Sequence, residues 1–244
     1  MSHDRKEILE GILEVYETWA EDQTFACEKG CASCCTQNVT MTAVEGEFLL
    51  NYIIEIGKQK WFAEKLQLWN GKEGNIPSVT HNTFAGNCLQ GIETETPEHE
   101  SQEEPCPFLE KNICTIYQAR PFGCRCFASR TDCRKTGSAE QSDELVAINT
   151  VTMQVIEHLG QKEFWGNIYD VLLALCALPE NRDIGQFLTD TDTLSRAQRR
   201  VLTAKPVPGF LIMPEEQERV GRFLNLLFNK EIQGKTIENI LNNK

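Results

Sequence analysis

Residues 27 to 35 read CEKGCASCC, four cysteines in nine residues with the last two adjacent. So much sulfur in so short a span admits few explanations: a disulfide knot, a catalytic thiol, a zinc site or an iron–sulfur cluster. Each needs a different context in the rest of the chain. Eleven cysteines occur in 244 residues, and ten of them fall between Cys27 and Cys133, with only Cys176 outside. A chain of this length buries a core without covalent or metal staples, so the sulfur is not explained by small size.

The disulfide reading has little support. The first residues, MSHDRKEILEGILEVYETWAED, show no uninterrupted apolar stretch and no small-residue cleavage site of a secretory leader. No segment approaches the roughly 20 apolar residues of a membrane span. The expectation is a cytoplasmic protein, where dense cysteine points to metal binding or catalysis rather than cross-links. The odd count and the adjacent Cys34 and Cys35, which could close only a small strained ring, point the same way. A formal net charge of −12 disfavours nucleic acid and anionic lipid as partners. Partners are otherwise an unspecified protein or small molecule.

The first packet has the spacing Cys27-x3-Cys31-x2-Cys34-Cys35, with Gly30 permitting a tight turn. A second packet supplies Cys106, Cys114, Cys124 and Cys126, in a segment shaped by Pro105, Pro107, Pro121 and Gly123, with Cys133 nearby. This is more thiolate than one tetrahedral site uses, so one or two centres are expected. The four histidines, His3, His81, His99 and His158, all lie outside the packets, and a mixed Cys/His finger is not signalled. All-thiolate ligation fits zinc or iron–sulfur. A zinc ribbon wants two CxxC knuckles and only Cys31-x2-Cys34 has that spacing, so the expected cofactor is an iron–sulfur cluster of the 4Fe-4S type, with zinc as the alternative.

Other chemistries find less support. The spacing of Cys27, Cys31 and Cys34 matches the cluster motif of radical SAM enzymes, but Ser33 stands where those carry an aromatic residue, and a helix rather than a strand precedes the motif. The sixteen glycines never form G-x-G, so no dinucleotide-type loop is present. A catalytic thiol would need a base, and no histidine is near a packet in sequence. Cys88 and Cys133 receive no role, and Cys176, inside VLLALCAL, reads as a packing residue. The plain alternative to a functional cluster is a metal site that only holds an irregular core together.

Around the packets the pattern is helical. Ile8, Ile12, Val15 and Trp19 line one face of a helix over residues 4–20. Thr42 and Glu45 form a capping box for a helix carrying Phe48, Leu49, Tyr52, Ile53 and Ile56. Periodicity lapses from Asn70 to Pro105, and ETETPEHESQEEP reads as a solvated acidic loop near residues 90–105. Further helices are expected from Asp143, as cap, to about Leu159, over Glu163–Leu178, over LSRAQRRVLTA, over PEEQERVGRFLNLLFNK with Pro214 in its first turn, and after Thr236. No strand is expected beyond pieces such as CTIY. The fold class is therefore mainly α: a single domain over 1–244, with an irregular cysteine-rich metal-binding centre at 27–133 and a helical C-terminal part at 143–244.

CEKGCASCC, then CPFL, then CTIYQARPFGCR together resemble the CxxxCxxCC cysteine-cluster family, described as zinc- or iron-chelating and including a relative of flagellin lysine methylase. The resemblance covers about residues 27–126. The positions that match it are Cys27, Cys31, Cys34, Cys35, Cys106, Cys114, Arg120, Pro121, Cys124 and Arg125, whereas Cys126 and Cys133 go beyond it. It implies metal chelation. The methylase relative would imply a protein-modifying enzyme such as a methyltransferase, although no SAM-binding motif is recognisable. Arg120 and Arg125 are candidates to neutralise an anionic cluster or to hold an anionic substrate, or else to brace the loop. Three functions are thus in play: a cluster used in redox chemistry, sensing or cluster-based reaction, a structural zinc protein that binds a partner, and a cluster-assisted modifying enzyme.

Overall fold

The computed structural model describes residues 5–69, 76–93 and 104–242. In chain order the helices are α1 (Arg5–Glu21), α2 (Ala43–Glu55), α3 (Gln59–Leu66), α4 (His81–Leu89), the single turns α5 (Phe122–Arg125) and α6 (Cys133–Thr136), α7 (Asp143–Leu159), α8 (Ile168–Cys176), α9 (Arg182–Gly185), α10 (Thr191–Arg200), α11 (Gln217–Asn229) and α12 (Ile237–Leu241). Strands are short: β1 (Thr40–Thr42), β2 (Leu109–Glu110), β3 (Ile113–Cys114), β4 (Phe164–Asn167), β5 (Leu202–Thr203), β6 (Glu231–Ile232) and β7 (Lys235–Thr236). The fold is mainly α. Among the described residues, no helix is long and apolar enough to cross a membrane.

Two apolar clusters organise the helices. One gathers α2, α3, α8, α9 and α10 through residues such as Leu49, Ile53, Phe62, Leu172 and Ile184. The other gathers α1, α7, α11 and α12 around Ile8, Ile12, Val151, Phe223 and Ile237. Phe48 packs against both. Complete burial of each such side chain is worth about 2 kcal/mol, enough to overrule the weak propensity of β-branched residues for helix.

The second cysteine packet threads between these clusters. Phe108, Ile116 and Ala119 belong to the first, and Phe122 and Cys126 to the second. Phe108 stacks between Phe62, 5.2 Å away, and Tyr169, 5.7 Å away, and Tyr169 stacks in turn on Trp69 at 4.8 Å. Apolar anchors at intervals of a few residues thus fix a segment that has almost no regular structure.

Several expectations are corrected. The helix expected over Glu163–Leu178 begins only at Ile168. Phe164–Asn167 is instead the central strand of an antiparallel sheet, paired with Thr40–Thr42 on one side and Leu202–Thr203 on the other. Backbone pairing on both edges decides this stretch, and no alternation in sequence announces a strand of four residues. The region from Asn70 to Pro105 contains α4, capped by Thr80. Most of the acidic run lies outside the described residues. The cap of α7 is Ser142, whose hydroxyl accepts from the Leu145 amide, rather than Asp143. Of the strand expected at CTIY only Cys114 is in one, the end of Ile113–Cys114, whose hairpin with Leu109–Glu110 is closed by Lys111 and Asn112 at positive φ. The expected helix α1 and the Thr42/Glu45 capping box of α2 are both present.

Candidate functional site

Local hydrogen bonding brings the two packets together. The Cys106 amide donates to the Cys35 carbonyl at 2.9 Å, Thr36 bridges to Pro105, and the Gln37 side chain donates to the Pro105 carbonyl. Cys35 is thereby placed beside Cys106. The β2–β3 hairpin sets Leu109 opposite Cys114, and the Thr115 amide and hydroxyl both donate to the Phe108 carbonyl. Gly123 allows a close approach of the α5 turn to β1: a Cβ there would lie 3.1 Å from Val39 and 3.2 Å from the Thr40 carbonyl oxygen.

The α5 turn itself is latched from below by Glu45. One carboxylate oxygen accepts from the Phe122 amide at 2.7 Å, and the other from the Thr42 amide and hydroxyl. Burial raises the Glu45 carboxyl above its usual range against these hydrogen bonds. On the far side, the Asn149 side chain donates to the Cys126 carbonyl and accepts from the Tyr16 hydroxyl. The sequence alone identifies Glu45 only as a helix cap, and gives no signal for Asn149.

The structure sorts the cysteines into two groups that cut across the sequence packets. The inner group is a chain of electrostatic neighbours: Cys106 and Cys124 act on Cys35, and Cys106 and Cys114 act on Cys124. The hydrogen bond to Cys34, burial, and the charges of Cys34, Cys124 and Cys106 push the Cys35 thiol up. Burial, followed by the charges of Cys106 and Cys114, raises Cys124. Burial also raises Cys106 and Cys114. The buried Tyr169 donates its hydroxyl proton to Cys106 Sγ at 3.2 Å, and its own acidity is suppressed by burial and by the charges of Cys106, Cys124 and Cys114. Nothing in the sequence marks Tyr169, whose proximity comes from α8 packing.

In the outer group, Cys27 sits among Cys31, Cys34 and Cys133, whose charges, after burial, raise its thiol. Cys34 is hydrogen-bonded to Cys35 and also acts on Cys27, so it links the two groups. Cys34 is held at about 6 chiefly by the hydrogen bond from Cys35, with help from the Arg120 cation. Cys126 is buried and raised to about 12, and its thiol donates to the Gly123 carbonyl at 3.7 Å, at the margin of the inner group. Cys88 is exposed on α4, and Cys176 is buried in α8 as a packing residue, its thiol raised to about 12 by burial.

The two arginines differ in role. Arg125 spends its donors on the Arg120 carbonyl at 2.9 Å, the Gln118 carbonyl at 2.7 Å and Glu17 at 2.6 Å. It braces the loop. Arg120 lies over the Tyr117 ring at 3.9 Å, and its charge favours the thiolates of Cys34, Cys114, Cys124 and Cys126. Its Nε is buried and has no acceptor. A buried N–H without an acceptor is costly, and beside a set of thiols it suits an anionic, sulfur-ligated group.

Among the described residues, no three His, Cys, Asp or Glu side chains are drawn together tightly enough to hold a metal ion. The donor set has the right chemistry and the sulfurs are neighbours, but ligation would have to close them onto a common centre. Loop residues 22–39 contain only isolated turns and one bridge, so such closure costs little regular structure. Comparison with protein-family profiles, with curated proteins and with solved structures gives no match.

Proposed function

We propose that this chain is a thiolate-ligated metal protein whose inner cysteines, Cys35, Cys106, Cys114 and Cys124, hold an iron–sulfur cluster used for electron exchange or redox sensing. The observation that carries the reading is the backbone hydrogen bond that sets Cys35 beside Cys106, where the two packets meet, together with the Arg120 cation, whose Nε is buried and unpartnered and whose charge favours the thiolates of Cys114 and Cys124. A thiolate-bound cluster is anionic, and burial beside a guanidinium offsets that charge in a chain that already carries −12. When bound, the cluster would supply one-electron redox chemistry. The residues around it hold and shield: Tyr169 donates a hydrogen bond to one ligand sulfur, and Phe108 limits access of water to the buried side. The resemblance to the CxxxCxxCC family agrees with metal chelation at these positions.

A second reading, a structural zinc ion, rests on the count of inner thiols, which equals the ligand number of one closed tetrahedral site. Anaerobic expression in iron-rich medium separates the two. The cluster reading expects brown protein with iron and acid-labile sulfide, both lost in Cys106→Ser and Cys124→Ser and retained in Cys88→Ser. Colourless protein whose zinc is lost in Cys124→Ser would replace the cluster with zinc.

A further inference from the structure

Segment 204–211, reading AKPVPGFL, leaves β5 and runs along α7 and α4 as a strap without regular structure. Its first residue is pinned by backbone pairing, the Ala204 amide donating to the Glu163 carbonyl and the Ala204 carbonyl accepting from the Lys162 amide. Thereafter side chains hold it, and they hold alternate residues. Glu157 accepts from the Lys205 amide at 2.8 Å, and His158 Nδ1 accepts from the Val207 amide at 3.0 Å. Gln154 donates to the Gly209 carbonyl at 2.9 Å and accepts from the Leu211 amide at 3.2 Å. From α4, Asn82 donates to the Lys205 carbonyl at 2.8 Å. The residues in between, Pro206 and Pro208, have no N–H to satisfy. Beyond this stretch apolar packing takes over, with the Phe210 ring 6.0 Å from that of Phe228 on α11.

A backbone amide can only donate, so His158 Nδ1 is unprotonated and the ring proton sits on Nε2, 3.4 Å from the Leu241 carbonyl of α12 and from the Gln161 amide. We propose that His158 is a proton-operated catch: when a proton from solvent enters at Nδ1, two donors face each other, the Val207 hydrogen bond is lost, and the middle of the strap lifts from α7 and α4. The ring is half-buried and within reach of solvent. Its Nε2–H keeps the same carbonyl acceptor in both states, so the ring stays in place and the strap yields. Val207 stands between two prolines, each of which fixes its own φ and confines the residue before it to extended backbone. The stretch from Lys205 to Pro208 therefore moves as a unit, and the loss at Val207 is passed to Lys205. The titratable and charged groups on the elements packed around His158 are Glu157 on α7, Lys162 just beyond it, Lys205 on the strap, His81 on α4 and Glu238 on α12. The Glu157 carboxylate, nearest in the chain, is taken up by the Asn82 and Lys205 amides. Lifting the strap uncovers Asn82, Gln154 and Glu157, a row of side chains set to bind an extended backbone. None of these groups is a proposed metal ligand or adjoins one in the chain, so the catch works independently of the thiols.

The test is residue-resolved hydrogen exchange of the full chain by NMR, with each amide referenced to its intrinsic rate, from about pH 8 to about pH 5, the range in which imidazole titrates. The wild-type chain is expected to lose about tenfold protection at both Val207 and Lys205 across that range, the size of one lost hydrogen bond. Amides of α8 should be unchanged, and the midpoint should coincide with that of the His158 ring resonances. In His158→Asn the side-chain oxygen takes the place of Nδ1 and does not titrate, so the strap should stay protected throughout. The proposal is overturned if the strap amides stay protected at the acid end, are unprotected already at the alkaline end, or respond with a midpoint other than that of the ring. It is equally overturned if His158→Asn loses protection as the wild type does, or if α8 loses as much, which would mark global unfolding. Exchange at Val207 alone, with Lys205 still protected, would show a broken bond under a strap still in place and would overturn it as well.

Discussion

Helix α8 and the segment from Cys106 to Cys133 are neighbours held by different forces. Every residue of α8 is buried, from Ile168 to Cys176, and its position follows from apolar area removed from water. The cysteine segment buries Phe108, Ile116, Ala119, Pro121, Phe122, Cys126 and Ser129, with half-buried or exposed residues between them. Between those anchors it depends on single latches: Glu45 to the Phe122 amide, Arg125 to two carbonyls, and Asn149 to the Cys126 carbonyl. The first kind of region fails as a whole when a side chain is cut. The second fails locally, one latch at a time.

The largest effect is therefore expected in α8. Leu172 is fully buried, and Leu172→Ala should lower global stability by about 3–5 kcal/mol, read as a shift of the denaturant midpoint with a single cooperative transition. A small loss confined to one probe would erase the distinction between the regions.

Glu45→Gln should cost about 2–3 kcal/mol, because the amide keeps one acceptor and turns an NH2 group toward a backbone donor. The difference from Leu172→Ala lies in where the cost appears. Hydrogen exchange should accelerate at residues 121–126 more than in α7 or α8, and under the proposed cluster reading iron content should fall with it. Uniform acceleration throughout the chain would show that Glu45 belongs to the core rather than to the latch.

A third effect comes from His81, whose ring packs edge-on against Trp165 at 5.0 Å, with Nε2 3.3 Å from the Thr40 hydroxyl oxygen. Burial lowers its pKa from the ordinary imidazole value of 6.5 to about 4. The unfolded chain therefore binds a proton between those values and the folded chain does not, so stability is lost as pH falls from 6.5 toward 4. The loss amounts to about 2–3 kcal/mol. His81→Gln should flatten that part of the stability–pH curve, and an unchanged slope would assign it to other groups.

The smallest effect has the opposite sign. Gly221 lies within α11, and a Cβ added there would meet no neighbouring atom within 4 Å. Gly221→Ala should raise stability by about 0.5–1 kcal/mol through helix propensity alone, measurable as a small increase in midpoint and without change in metal content.

The same contrast explains what could be read from the chain. Helices with a long apolar stripe or a side-chain cap, α1 and α2 among them, are written in local pattern because burial and capping act over three or four residues. Strand β4 is not, since its state is decided by Thr40–Thr42 and Leu202–Thr203, far away in sequence. Sulfur density announced the candidate ligands, but their grouping did not follow the packets. Cys35 joins Cys106 through a backbone hydrogen bond, and Cys133 joins Cys27 through Ser129 and Arg134. Tyr169 and Asn149 reach the site through tertiary packing and carry no mark in the sequence.

The adjacency of Cys34 and Cys35, whose thiols are hydrogen-bonded to each other, has a mechanical consequence. Their Cα atoms are separated by one peptide unit, about 3.8 Å, and that unit is planar and stiff. A backbone rotation that swings one sulfur is transmitted to the next residue as a change of direction, with no slack chain to absorb it. A group bound at Cys35, as proposed, would therefore re-aim Cys34 as well, the peptide between them acting as the crossbar of a balance.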